Sequence, residues 1–299
     1  MMSTNDKVTD ESLDEFGNDI IKATEMLQVA TLSLRSLYVV NSSSVNSFVK
    51  LRQKITNEAK VYSKNVLPTS NDLIRTISRF CSLYNYVELN DFRKYFKAFV
   101  QEVKKGAEKC DLTLKLNKYI LVEFKNSEDE VVKVLEQLES KTKEYEQKKK
   151  ELMNSADVKL RWAIVLALIP VVNVIAGPII YMNGRKSVIN AIAESEEELL
   201  TVAAAEAIKG PLIMSITTLI SSFNNIAKFF IILTDELNNI DNDDELKKAH
   251  YNIMKNKCLK IIDACNYYFS QIPAAMANLQ AIPDDYDKNY VEEWLLEKS

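Results

Sequence analysis

The side chains that carry most enzymatic chemistry are few in this chain and poorly spaced for it. There is one histidine, His250, and four cysteines, Cys81, Cys110, Cys258 and Cys265, with no CxxC pair among them. A structural zinc site needs about four converging Cys or His ligands, so no metal is expected. Cys258 and Cys265 lie about 10.5 Å apart along a helix, at 1.5 Å per residue, beyond disulfide reach. Any bridge would have to join different helices, and buried free thiols are the simpler expectation. Glu194 and Glu196 to Glu198 could exchange protons as acid and base, but a charge run beside Arg185 and Lys186 reads as a solvated face. Neither a GxGxxG nor a P-loop pattern is present, so no cofactor, no catalytic residue and no enzymatic activity are expected.

The chemistry that the residue types do support is partition between water and lipid. "WAIVLALIPVVNVIAGPIIYMNG", Trp162 to Gly184, runs without a charge between Lys159 and Arg161 on one side and Arg185 and Lys186 on the other. A membrane-spanning helix needs about 20 apolar residues, which this run supplies. Its interior argues against one straight helix. Pro170, Asn173, Gly177 and Pro178 interrupt it, and each proline removes a hydrogen bond that lipid cannot replace. A hairpin turning around these residues brings the four basic residues together at its base, where they would meet headgroups. Trp162, Ile164, Leu166, Leu168, Val172, Val174, Ile175, Ile179 and Tyr181 are then the inserting side chains.

Asn173 divides the run into limbs of about eleven residues. As helices these reach roughly 16 Å, half of a 30 Å hydrocarbon core, and as extended chain roughly 36 Å. Crossing therefore requires extension, or length recruited from the flanking helices. The alternative is that the run is permanently buried at the end of a bundle. A soluble chain must in either case cover so large an apolar patch.

The elements around the run are helical by every signal. Five Gly and six Pro in 299 residues are too few turn-formers for a many-stranded β fold, against average usage of roughly 7% and 5%. Leu13, Phe16, Ile20, Ala23, Leu27, Ala30, Leu34 and Leu37 form an unbroken three-and-four seam. "NSSS" ends it, and Val45, Phe48, Ile55, Ala59, Tyr62 and Val66 mark a second helix that "LPTSND", with Pro68, is expected to close. A shorter helix follows to about Tyr86, and Phe92 to Phe124 carry an aromatic-rich stripe. "SEDE" at Ser127 to Glu130 reads as a capping box opening a helix with Val131, Leu135, Leu138, Tyr145 and Leu152 on one face. Beyond the apolar run, an Ala/Glu-rich helix should stop at Gly210 and Pro211. The segment after it places Leu212, Ile216, Leu219, Phe223, Ile226, Phe230, Leu233, Leu237 and Ile240 at successive seam positions, as a bundle's core helix does. "DNDDE" opens a last long helix expected to end at Ile272 and Pro273, and "NYVEEWLLEK" suggests a short terminal helix. The expectation is all-α: one elongated domain over residues 1–299, a bundle of long coiled-coil-like helices with the hydrophobic hairpin 162–184 between them.

A rod of heptad-patterned helices, a hairpin carrying "IPVVNVIAGPII", and the downstream "TTLISSFNNIAKFFIILTDELNNI" resemble the α-helical pore-forming toxins of the cytolysin A type. The layout is closest to the haemolysin BL and non-haemolytic enterotoxin components and the α-xenorhabdolysins. That resemblance implies a soluble protomer whose hairpin swings out, inserts in a lipid membrane and assembles as a homo- or hetero-oligomer, often with a second protein component. The hairpin is poorer in glycine than the heads common in that family. The alternatives are a membrane-anchored coiled-coil scaffold or tether, and a soluble helical interaction protein. Acidic and basic residues are mixed along the chain to a net charge of −4, so no nucleic-acid partner is expected. "MMSTNDKVTDESLDEFGND" is polar and acidic, unlike a secretory signal, so a cytoplasmic or non-classically released soluble form is expected before any membrane is met.

Overall fold

The computed structural model describes residues 8–36, 46–154, 197–282, 284 and 286–298. Among these the chain is all-α, with no strand. The helices are α1 (Asp10–Ser36), α2 (Asn46–Val61), α3 (Leu67–Tyr86), α4 (Leu89–Lys94), α5 (Phe96–Asn126), α6 (Glu128–Gln137), α7 (Glu139–Met153), α8 (Glu197–Ala207), α9 (Ile213–Asn239), α10 (Asp244–Gln280) and α11 (Lys288–Lys298). Two wide turns of π-helix, Tyr62–Val66 and Ile208–Leu212, join α2 to α3 and α8 to α9 without a break.

Five long helices form a closed ring: α1 packs on α10, α10 on α3, α3 on α5, α5 on α9, and α9 back on α1. Pairing along the interfaces fixes their directions. Asp72 of α3 meets Lys109 of α5, Phe16 of α1 stacks on Phe229 of α9 at 4.1 Å, and Tyr251 of α10 reaches the Val87 carbonyl at the end of α3. Neighbours are antiparallel except α1 and α10, which run the same way. The longest helix, α10, has 37 residues and so measures about 55 Å. The described seam positions of α1 and all nine of the Leu212–Ile240 seam are buried in one continuous core.

Close approach inside the ring depends on one glycine. A Cβ on Gly106 of α5 would lie 2.4 Å from the Phe230 ring, so only glycine admits that ring between α5 and α9. Phe230 in turn stands edge-on to Phe16 and Phe229, an arrangement favoured by the ring quadrupoles.

Three expected boundaries and one expected cap are different in the structure. Pro68 does not end a helix: the wide turn before it lets the Leu67 N–H donate to the Tyr62 carbonyl, five residues back, and Pro68 falls at the start of α3, where a proline N–H is not needed. Gly210 and Pro211 likewise sit inside the second wide turn and the helix runs on. Pro273 lies within α10, which continues to Gln280. At Ser127 the expected helix start holds, since α5 ends at Asn126 and α6 opens at Glu128, but the expected capping box does not form: the Ser127 backbone stays helical and its hydroxyl donates to the Glu123 carbonyl at 3.1 Å. Asp243 does cap as expected, accepting from the backbone N–H groups of Glu245 and Leu246.

Candidate membrane-active region and its supports

The residues expected to meet lipid, Trp162 to Gly184 with Lys159, Arg161, Arg185 and Lys186, lie outside the described residues, as do Glu194 and Glu196. The structure does describe the helices on either side. α7 ends at Met153, α8 begins at Glu197, and the two pack on each other, with α6 against α8 as well. In α8, Thr201, Val202, Ala203, Ala205 and Ala207 are buried, and such small side chains allow close approach. α7 is mostly solvated, with ion pairs such as Lys143 to Glu139 at 3.0 Å one turn apart, and buries Tyr145.

From Thr201 to Asn239 the chain is one helical run of 39 residues, long and apolar enough to cross a membrane by length and composition. Half of its most apolar stretch is buried in the bundle, as in a core helix. Its outward face is not uniformly polar, since Met214 and Ile231 are exposed.

At the opposite end of the ring the single histidine is fully used. His250 Nδ1 lies 3.1 Å from Glu236 Oε1, and Nε2 lies 2.9 Å from the Tyr84 hydroxyl. A carboxylate can only accept, so Nδ1–H donates to Glu236, while Nε2 and the Tyr84 hydroxyl share the second hydrogen bond. The other oxygen of Glu236 accepts from the Val8 backbone N–H at 2.7 Å. Burial pushes the Tyr84 hydroxyl well above its ordinary pKa, which keeps it a donor. This chain of hydrogen bonds ties the start of α1 to α9, α10 and α3. The sequence shows His250 alone; its partners come from helices far apart in the chain.

The four cysteines are free and buried. Burial raises Cys110 and Cys265 to about 12, and Cys81 is raised by its hydrogen bond to Cys258 and then by burial. Among the described residues no group of His, Cys, Asp and Glu could hold a metal ion. A half-open groove of about 490 Å³ runs between α1 and α9, lined by Glu15, Phe16, Asp19, Asn225, Lys228 and Phe229. Asn225 donates to Asp19, whose carboxyl partial burial still pushes above its usual range.

A polar cluster that sequence reasoning missed lies where Ile282, Asp284 and residues 286–298 cross α2. Glu58 is buried, accepts from the Tyr290 hydroxyl, and is raised to about 7 by desolvation, against that hydrogen bond. Its position three residues after Ile55, on the edge of the α2 seam, is the one sequence signal that could have marked it.

No protein-family profile matches this sequence, and no curated protein matches it. Solved structures do. The chain is similar to soluble SmhB of the tripartite α-pore-forming toxin Smh from Serratia marcescens, at TM-score 0.56 and 13% identity over 89% of this chain and 93% of that one. It is similar to soluble AhlB of the tripartite α-pore-forming toxin AHL from Aeromonas hydrophila, at TM-score 0.57 and 11% identity over 92% and 99%. A second crystal form of SmhB gives TM-score 0.56 and 11% identity over 97% and 99%.

Proposed function

We propose that this protein is a component of an α-helical pore-forming toxin, soluble until residues 162–184 leave the bundle, enter a membrane and assemble with other copies or components. The observation that carries the reading is the fold, shared over about nine-tenths of the chain with soluble components of two tripartite toxins. The charge-free run between paired basic residues supplies the part that would enter lipid. Membrane contact can drive opening only through its differential affinity for the opened state. Burying ten apolar side chains at roughly 1.5–3 kcal/mol each gives a gross term of about 15–30 kcal/mol, enough to offset repacking of one helix end.

The test is dye leakage and binding with liposomes, by the purified protein alone and with candidate partner components. Val172→Asp and Ile175→Asp should keep the helical content. Each should weaken liposome binding about a hundredfold, because an aspartate at bilayer depth costs about 2.5–3.5 kcal/mol. Undiminished binding by both variants would sink the insertion of this run. Obligatory detergent dependence of the purified chain would instead favour a permanent membrane tether.

A further inference from the structure

We propose that Ile282, Asp284 and residues 286–298 form a clasp across α2 and α5 whose docking is governed by a proton on Glu58, held when that carboxyl is neutral and loosened when it is charged. This inference stands on the C-terminal contacts alone and does not depend on the pore-forming reading.

The clasp is held chiefly by polar groups reaching up from α2. Lys60 Nζ donates to the Ile282 carbonyl at 2.7 Å and to Asp284 at 2.9 Å. Asn57 accepts from the Asp287 N–H at 3.0 Å, Lys64 bonds the Tyr286 hydroxyl, and Tyr290 donates to Glu58. Trp294 is the buried anchor, edge-on to Tyr119 of α5 at 6.4 Å. Two atoms in this contact are buried without a hydrogen-bond partner: Glu58 Oε2 and Trp294 Nε1. A buried polar atom left unpaired costs free energy, and an unpaired carboxylate oxygen costs far more charged than neutral. The docked clasp is therefore matched to the neutral acid, because the site hydrogen-bonds only one oxygen of the charged form.

The surroundings have the same sign. The groups bearing on Glu58 are the Tyr290 hydroxyl of α11, Glu123 of α5, which repels its charge, and Lys54 of α2, which favours it. Tyr290 itself faces Glu123 and Glu297. α6, which also packs on α2, contributes no charged group among the described residues that act on Glu58. Undocked, Glu58 returns to water and to an ordinary carboxyl, 4.5, against about 7 when covered. The raised value means that the docked state binds the proton more tightly, so docking is strongest below pH 4.5 and weakens as pH rises through 7. Linkage between these two values makes docking about tenfold weaker at pH 8 than at pH 6. The Lys60–Asp284 pair holds Asp284 below its usual range, so it stays ionised across that window.

The chain has two tryptophans, so Trp162→Phe leaves Trp294 as the only one. In plain buffer its emission should shift to the red as pH is raised from 6 to 8. Adding Glu58→Gln, which keeps an acceptor for Tyr290 but cannot ionise, should abolish that shift. In the unaltered protein, hydrogen exchange of 288–298, corrected for intrinsic rate, should show protection at pH 6 that falls about tenfold at pH 8. An unchanged shift in the Glu58→Gln protein, or equal protection at the two pH values, overturns the proposal.

Discussion

At the scale of single residues, the bundle is built on close fits that leave little reactive surface. The thiols illustrate this. All four are buried, and those whose acidity is perturbed are pushed away from the reactive thiolate, so an aromatic disulfide reagent should label none in the native protein and four after denaturation. One equivalent reacting quickly in the native state would contradict the packing. Gly106 makes a second, steeper case. Gly106→Ala improves helix propensity by about 1 kcal/mol, but its methyl collides with a Phe230 ring that Phe16 and Phe229 hold in place, and overpacking costs about 1–3 kcal/mol. Urea unfolding should show a net loss, and a gain would mean that the ring moves freely. That the thiols are free and buried agrees with the simpler expectation from their spacing in the sequence. The value of Gly106 was not, because it depends on a residue more than a hundred positions away.

At the scale of elements, periodicity carried most of the information and proline misled. The described seam positions of α1, α2 and α9 are buried as their spacing predicts, because a three-and-four repeat leaves a helix only one face to bury. Pro68 and Pro211 were read as stops because an α-helical ladder cannot tolerate them. The chain instead widens one turn beside each, a π-turn that no side-chain pattern announces. Ser127 misled for a related reason: a serine hydroxyl can bond a carbonyl one turn back as well as cap a new helix. The helical run Thr201–Asn239 can be tested as an element. Leu233 is wholly buried while Ile231 is 59% exposed. Leu233→Asp should unfold the protein, whereas Ile231→Asp should change stability by no more than about 0.5 kcal/mol, as at other surface positions. Equal damage from both would mean that this helix is covered on its outer face too. The expected lipid-facing run was the clearest signal in the sequence, since its lack of charge needs no tertiary context to be noticed.

At the scale of the whole molecule, the irregular turns fall in one zone. Counting 1.5 Å per residue from the end where α3 stops and α10 starts, Tyr62–Val66, Ile208–Leu212 and the bend at Ser127 lie roughly 30–46 Å along the helices. Below that zone stands the closed ring, and above it stand α6, α7 and α8, which flank residues 155–196. The ring also constrains how the protein is made. α1 has its neighbours in α9 and α10, so it finds its partners only about 200 residues after it is synthesised, and at about 5–20 residues per second it waits about 10–40 s. During that time its apolar seam of Leu13, Phe16, Ile20 and Leu27 is without its native cover. A ribosome-bound chain ending before Ile213 should therefore remain protease-sensitive in α1 and be held by chaperones, and one extending past Gln280 should lose both properties together. The order in which the ring closes thus makes α1, synthesised well before its partners, among the last of the ring's helices to be secured.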